Sequence, residues 1–334
     1  MTKTKHHLNL FGLLTVLLFV SFVFSLSLGD SGADLSDVLR AFSGQASSQV
    51  YQIIMRIRLP RILAYMVAGG SLALSGSLLQ TLTRNPLADS GILGINAGAG
   101  LVVAIVIAYF SLENQWVIRL MPILAMLGGC LVIILVYQIA KKANQGLSPV
   151  RLIISGVGLS SMISGIMVSI VGNVNPYKVD AIVNWLSGRG TGGNWRTLTV
   201  MAPLLIILWV LTYSFSHRLN ILSLNDQTAA ALGLDLPKTR LRVLILATGL
   251  AALSVVLVGN VTFVGLISGH ISRRLAGANH RLALPASLMF GMLLLLVADS
   301  LGRILLVGKG IPTGLVVAIL GAPYFLYLMT KLRS

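Results

Sequence analysis

Long apolar runs separated by short polar connectors repeat along the chain. They are Leu8–Leu28, Ile62–Leu82, Ile92–Phe110, Leu120–Ala140, Leu152–Val171, Val200–Phe215, Val243–Val258, Phe263–Ile271, Leu282–Ala298 and Ile311–Thr330. A helix needs about 20 apolar residues to cross the hydrocarbon of a bilayer. Phe263–Ile271 is too short alone. It must borrow Gly259–Thr262 and residues beyond Ile271, or be a broken helix buried against protein. The first run follows Lys3, Lys5, His6 and His7. It is longer than a secretory apolar core and lacks a following Ala-x-Ala, so it reads as an uncleaved span leaving the inner side. The pattern predicts an all-α polytopic membrane protein of about ten transmembrane helices. The expectation is a single transmembrane domain over residues 1–334, with both termini cytoplasmic.

Composition agrees. Only 10% of residues are charged and 56% are hydrophobic, with a mean hydropathy of +0.89. A soluble domain carries about 25% charge, and disordered chains are poor in apolar residues. Net charge is +16, from 25 Lys+Arg against 9 Asp+Glu. The basic residues sit at the ends of apolar runs, which points to topology and anionic headgroups. No basic stripe or aromatic platform for nucleic acid is present. Alternating the spans from an inner N-terminus puts more basic residues inside than outside. Even so, Arg56, Arg58 and Arg61 cluster outside before the second span, and Arg303 follows the ninth. That outer excess asks for a cause.

The 34 glycines crowd particular spans: Gly69, Gly70 and Gly76 on the second, Gly156, Gly158 and Gly165 on the fifth, Gly314 and Gly321 on the tenth. Small residues let helices approach closely in lipid; others mark helix breaks that line a cavity. A weak echo joins Ala68–Ser75 (AGGSLALS) to Ala247–Ser254 (ATGLAALS), with five of eight positions identical. The two strings run in opposite directions through the membrane, as an inverted repeat would. The single cysteine, Cys130, sits in an apolar run and reads as a core residue.

The sequence holds no catalytic constellation, metal-ligand spacing or cofactor motif. Gly308-Lys309-Gly310 lacks the rest of a phosphate loop, so any ATP hydrolysis belongs to a separate subunit. Asp299 is an acid near the interior of an apolar run, a functional candidate by default. Arg303, four residues on, makes a helix-end ion pair the simpler reading. His270 reads as a structural hydrogen-bonding residue. The inner stretch Arg218–Arg242 is more distinctive. Asn225 or Asp226 can cap a helix, Gln227–Leu232 (QTAAAL) can form it, and Gly233 can end it. A short Ala-rich helix there is either a knob for a cytoplasmic partner or a surface helix lying on headgroups.

Several strings together resemble the FecCD-type permeases of ABC importers for iron-siderophores, haem and cobalamin. They are Arg58–Arg61 (RLPR), Ala73–Gly76 (ALSG), Gln80, Arg84–Ala88 (RNPLA), Leu93-Gly94, Asn184–Gly188 with Trp195, and Ala230–Gly233. Further on come Phe263–Ile267 (FVGLI), His270-Ile271, His280-Arg281, Ala298-Asp299, Arg303 and Gly321–Leu328 (GAPYFLYL). The resemblance implies a type II importer permease. Two such subunits, two copies or a copy and a paralogue, pair around a pathway lined by the fifth and tenth spans. That makes Gly156, Ser160, Gly165, Gly314 and Gly321 its lining candidates. Cytoplasmic ABC ATPase subunits would dock on the 218–242 loop through Asn225, Asp226, Gln227, Ala230, Leu232 and Gly233. An extracytoplasmic substrate-binding protein would meet Arg56, Arg58, Arg61 and Arg303. The chain departs from the pattern at Gly269, where the family has proline, and at Gly310-Ile311-Pro312, where it has Glu-x-Pro.

The leading expectation is therefore the membrane subunit of an ATP-driven importer, in the cytoplasmic membrane of a bacterium, carrying a metal chelate, with a ferric siderophore first. The alternative is an ion-coupled secondary transporter, which would need buried acids or broken helices near the midplane.

Overall fold

The computed structural model describes residues 2–28, 34–110, 115–142, 146–190, 192–305 and 310–331. Lys309, singled out above, lies outside them. Apart from a two-residue antiparallel pair, β1 (Lys141–Lys142) with β2 (Gly146–Leu147), the regular structure among the described residues is helical. In chain order come α1 (Thr2–Ser27), α2 (Leu35–Phe42), α3 (Ser48–Tyr51), a π-helical segment (Gln52–Arg58) and α4 (Leu59–Thr83). Then follow α5 (Ile95–Tyr109), α6 (Gln115–Ala140), α7 (Pro149–Val171), α8 (Pro176–Leu186) and α9 (Trp195–Ser214). The last are α10 (Ser216–Leu222), α11 (Asp226–Ala231), α12 (Leu236–Val258), α13 (Val264–Ala276), α14 (His280–Ile304) and α15 (Thr313–Lys331).

Every expected apolar run carries a helix. Eight helices among the described residues are long and apolar enough to cross a membrane. Two are short. The helix for Phe263–Ile271 starts at Val264 and gains length beyond Ile271, yet has only 13 residues. The run Ile92–Phe110 was expected to span fully, but its helix has 15 residues and starts at Ile95. At 1.5 Å per residue neither reaches the roughly 30 Å of hydrocarbon. The physical reason lies upstream of each helix, where the chain is irregular and buried in protein.

α4 and α12 form the centre, antiparallel and largely buried, with α14 against α4. Apolar burial gives little drive between helices in lipid, so close backbone approach and hydrogen bonds matter more. The glycines supply that approach. A Cβ at Gly69 would lie 2.3 Å from the Gly291 carbonyl oxygen, and one at Gly76 would lie 2.3 Å from Gly265 Cα. The echoed strings lie against each other, with Ser75 Oγ donating to the Ala247 carbonyl at 2.7 Å. Each leads into a helix break and then a short helix, the arrangement an inverted repeat produces. α7, by contrast, is mostly uncovered.

Candidate functional site

On the outer side the arginines gather around one carboxylate. Asp299 on α14 is fully buried, and its Oδ1 accepts from Arg61 Nη2 at 2.9 Å and Nε at 3.1 Å. Arg303 Nε lies 3.1 Å from Oδ2, and Thr313 Oγ1 donates to Oδ1 at 3.3 Å. Arg303 also reaches the end of α1, donating to the Leu28 carbonyl at 2.9 Å and the Ser25 carbonyl at 3.1 Å. Arg58 donates to the Leu26 carbonyl at 2.7 Å. The last carbonyls of a helix lack partners within it and carry its negative dipole end. Two arginines thus cap α1 and tie it to the π-helical segment that leads into α4 and to α14.

This changes the expectation for the outer cluster. Arg58 is buried and Arg303 is turned inward, because helix-end carbonyls and Asp299 draw them there. Arg61 remains 40% exposed in its side chain. Arg56 is exposed on the π-helical segment, beside Tyr51 and Trp195, whose Nε1 donates to the Met55 carbonyl at 2.7 Å.

Two helix breaks meet within the protein. After Arg84, in the left-handed region at φ +50°, the chain turns through Asn85–Gly94. Asn85 Oδ1 accepts from the Leu87 amide at 2.9 Å, and Gly94, at φ +84°, leads into α5. The second break follows α12, and Phe263, at φ +68°, leads into α13. Asp89 Oδ2 accepts from the Phe263 amide at 3.1 Å, and Asn96 Nδ2 donates to the Val261 carbonyl at 3.3 Å. Irregular backbone is tolerated at membrane depth only when its polar groups are satisfied in this way. Sequence reasoning missed Asp89, treating Asp299 as the only interior acid. Its signal was present: Asp89 stands between Pro86 and a crowd of glycines at the mouth of an apolar run.

Of the pathway candidates, Gly165 is exposed with open space around it, and Ser160 is half-buried, donating to the Gly156 carbonyl at 2.7 Å. Gly156, Gly314 and Gly321 are packed within the chain. Their missing side chains admit, respectively, Leu93, the Ser187 carbonyl and the Phe263 ring. His270 makes the expected structural bond, 2.5 Å from Tyr324 Oη.

On the inner side the predicted short helix is present as α11, one residue earlier than expected. Asn225 Oδ1 caps it, accepting from the Thr228 amide at 2.8 Å, and Gly233 ends it at φ +81°. Asp226 does not cap. It pairs with Arg84 at 2.6 Å and Arg240 at 2.7 Å, joining the ends of α4 and α12. Partial burial works against its charged form, but bonds from Arg240 and Arg84 outweigh this and hold its carboxyl below the usual value. Only Ala229 of α11 is buried; Gln227, Ala230, Leu232 and Gly233 face outward.

Eight long apolar helices and two short ones among the described residues, with polar anchors at both faces, define a multi-pass membrane permease. The chain matches the FecCD transport family over residues 17–331 and belongs to it. It is similar to the iron(3+)-hydroxamate import system permease protein FhuG of Bacillus subtilis, with 35% identity over 99% of both chains. The ferric enterobactin transport system permease protein FepD of Escherichia coli is 37% identical over 95% of this chain and 94% of its own. A solved metal-chelate type ABC transporter in an inward-facing conformation superposes with a TM-score of 0.81 at 33% identity, covering 97% of this chain and 99% of that one.

Proposed function

We propose that this chain is the membrane subunit of an ATP-driven importer of iron chelates, with a ferric siderophore as cargo. The observation that carries the reading is full-length similarity to import permeases whose names specify ferric hydroxamate and ferric enterobactin. ATP would be hydrolysed on cytoplasmic partners seated against the exposed face of α11, with Leu232 as its apolar contact. A second permease, a copy or a paralogue, would complete the pathway, with Gly165 and Ser160 of α7 facing it. An outer binding protein would deliver the chelate. Arg56 and Arg61 are the arginines available to it, while Arg58 and Arg303 support the fold that presents them. Charge complementarity at such a contact governs orientation and association rate.

An ion-coupled mechanism would find a buried acid and helix breaks here, but the Asp89 carboxylate is held by the Phe263 amide. The test is uptake of labelled ferric hydroxamate and ferric enterobactin by cells dependent on this gene. Depleting ATP should stop uptake, and collapsing the proton gradient with ATP maintained should not. The reverse pattern overturns the proposal. Arg56→Glu should lower uptake with the complex intact, and unchanged uptake removes Arg56 from docking. Deleting 225–233 should release the ATPase, and a complex that survives removes α11 from coupling.

A further inference from the structure

Between α6 and α12 runs a groove of about 400 Å³, lined by Cys130, Ile134 and Tyr137 on one side and Leu241, Ile245 and Thr248 on the other. Its walls are almost wholly apolar. α9 closes the deep end, where Leu208 approaches Gly249. The groove's other end, at Tyr137 and Leu241, lies toward the inner face. Arg240 Nη1 donates to the Leu147 carbonyl at 3.2 Å, and Leu147 pairs with Lys141, so the end of α6 and the start of α12 share one level.

That end is basic. Lys141 is exposed one turn beyond Tyr137, and Arg242 is exposed one turn before Ile245. Lys238 adds a third charge, shared with Asp235 at 2.9 Å. The dimensions match one leaflet. From Cys130 to the end of α6 at Ala140, next to Lys141, the helix rises about 15 Å, half of the roughly 30 Å hydrocarbon core. An apolar slot that, with the turn leading to its cations, covers one leaflet has the form of a lipid site. Basic pockets between helices on the cytoplasmic side are where anionic headgroups bind.

We propose that this groove binds an anionic glycerophospholipid of the inner leaflet. One acyl chain lies along Ile134 and Ile245, and the phosphate sits against Lys141 and Arg242. The site is distinct from the α11 contact and from the α7 face, so it does not depend on the cargo.

The full-length chain in phosphatidylcholine nanodiscs, doped with a phosphatidylglycerol carrying a diazirine midway along one acyl chain, tests this directly. Crosslinks should concentrate on 130–137 and 241–249. Excess unlabelled phosphatidylglycerol should remove them, and excess phosphatidylcholine should not. Lys141→Gln with Arg242→Gln should lower labelling there by about fivefold or more, while labelling of the exposed faces of α1 and α9 stays constant and reports an intact fold. Ile245→Trp, which fills the slot without changing charge, should also remove it. Even labelling around the protein, equal competition by both lipids, or labelling that survives both variants overturns the proposal.

Discussion

Replacing Asp299 by asparagine keeps the side-chain shape and an oxygen for Thr313, but leaves two arginines facing a neutral group. Breaking a buried ion pair from one side costs about 3–5 kcal/mol. The two arginines do not share that equally. Arg61, 40% exposed in its side chain, keeps much of its hydration, and exposed pairs contribute only about 0–1 kcal/mol. Arg303, 14% exposed, bears most of the loss. The expected destabilisation is therefore about 2–4 kcal/mol. Globular proteins unfold with roughly 2.1 cal/mol/K per residue. For 334 residues the expected fall in Tm is then about 3–6 °C. Thermal unfolding in lipid nanodiscs, followed by tryptophan fluorescence, measures it. The double variant Asp299→Asn with Arg303→Gln removes the stranded charge and should recover part of the loss. A single variant as stable as the parent, or a double variant showing simple additivity, would refute the view that Asp299 organises the outer arginines.

Asp89→Ala removes the acceptor of the part-buried Phe263 amide and should cost about 1–3 kcal/mol, whereas Asp89→Asn keeps an acceptor and should lose less; unfolding curves of the two separate the cases. Gly76→Ala forces a Cβ against Gly265 and should cost about 1–3 kcal/mol, while Gly158→Ala, with open space around it, should be neutral or slightly stabilising. Asp226, held below its ordinary value, contributes stability that is fully present above the ordinary carboxylate pKa and is lost as pH falls through the lowered folded value. The acid side of the Tm–pH curve should therefore be shallower in Asp226→Asn, and identical curves would remove the Arg84–Asp226–Arg240 cluster from stability.

The positions of the helices were legible because hydrocarbon thickness acts on chain length directly, so each apolar run announced itself. The short inner helix was legible too, since Asn225 and Gly233 carry local capping chemistry. What composition did not convey was direction. Arg58 and Arg303 look like outer charges in a string of residues, yet carbonyls at the end of α1, far away in sequence, turn them inward. Asp89 was hidden for a related reason. Its partner is a backbone amide of another segment, and a backbone amide leaves no trace in side-chain spacing. Packed glycines such as Gly314 cannot be told from uncovered ones such as Gly165 without knowing what faces them.

α4 runs without interruption from Arg61, clasped by Asp299, to Arg84, clasped by Asp226. The span is about 35 Å of continuous helix. A strut of that kind has no joint in which to absorb a displacement. If either clasp is displaced, a rod of this kind would carry the displacement toward the other. One helix, pinned ionically at both ends, thus spans the distance between the two faces of the molecule.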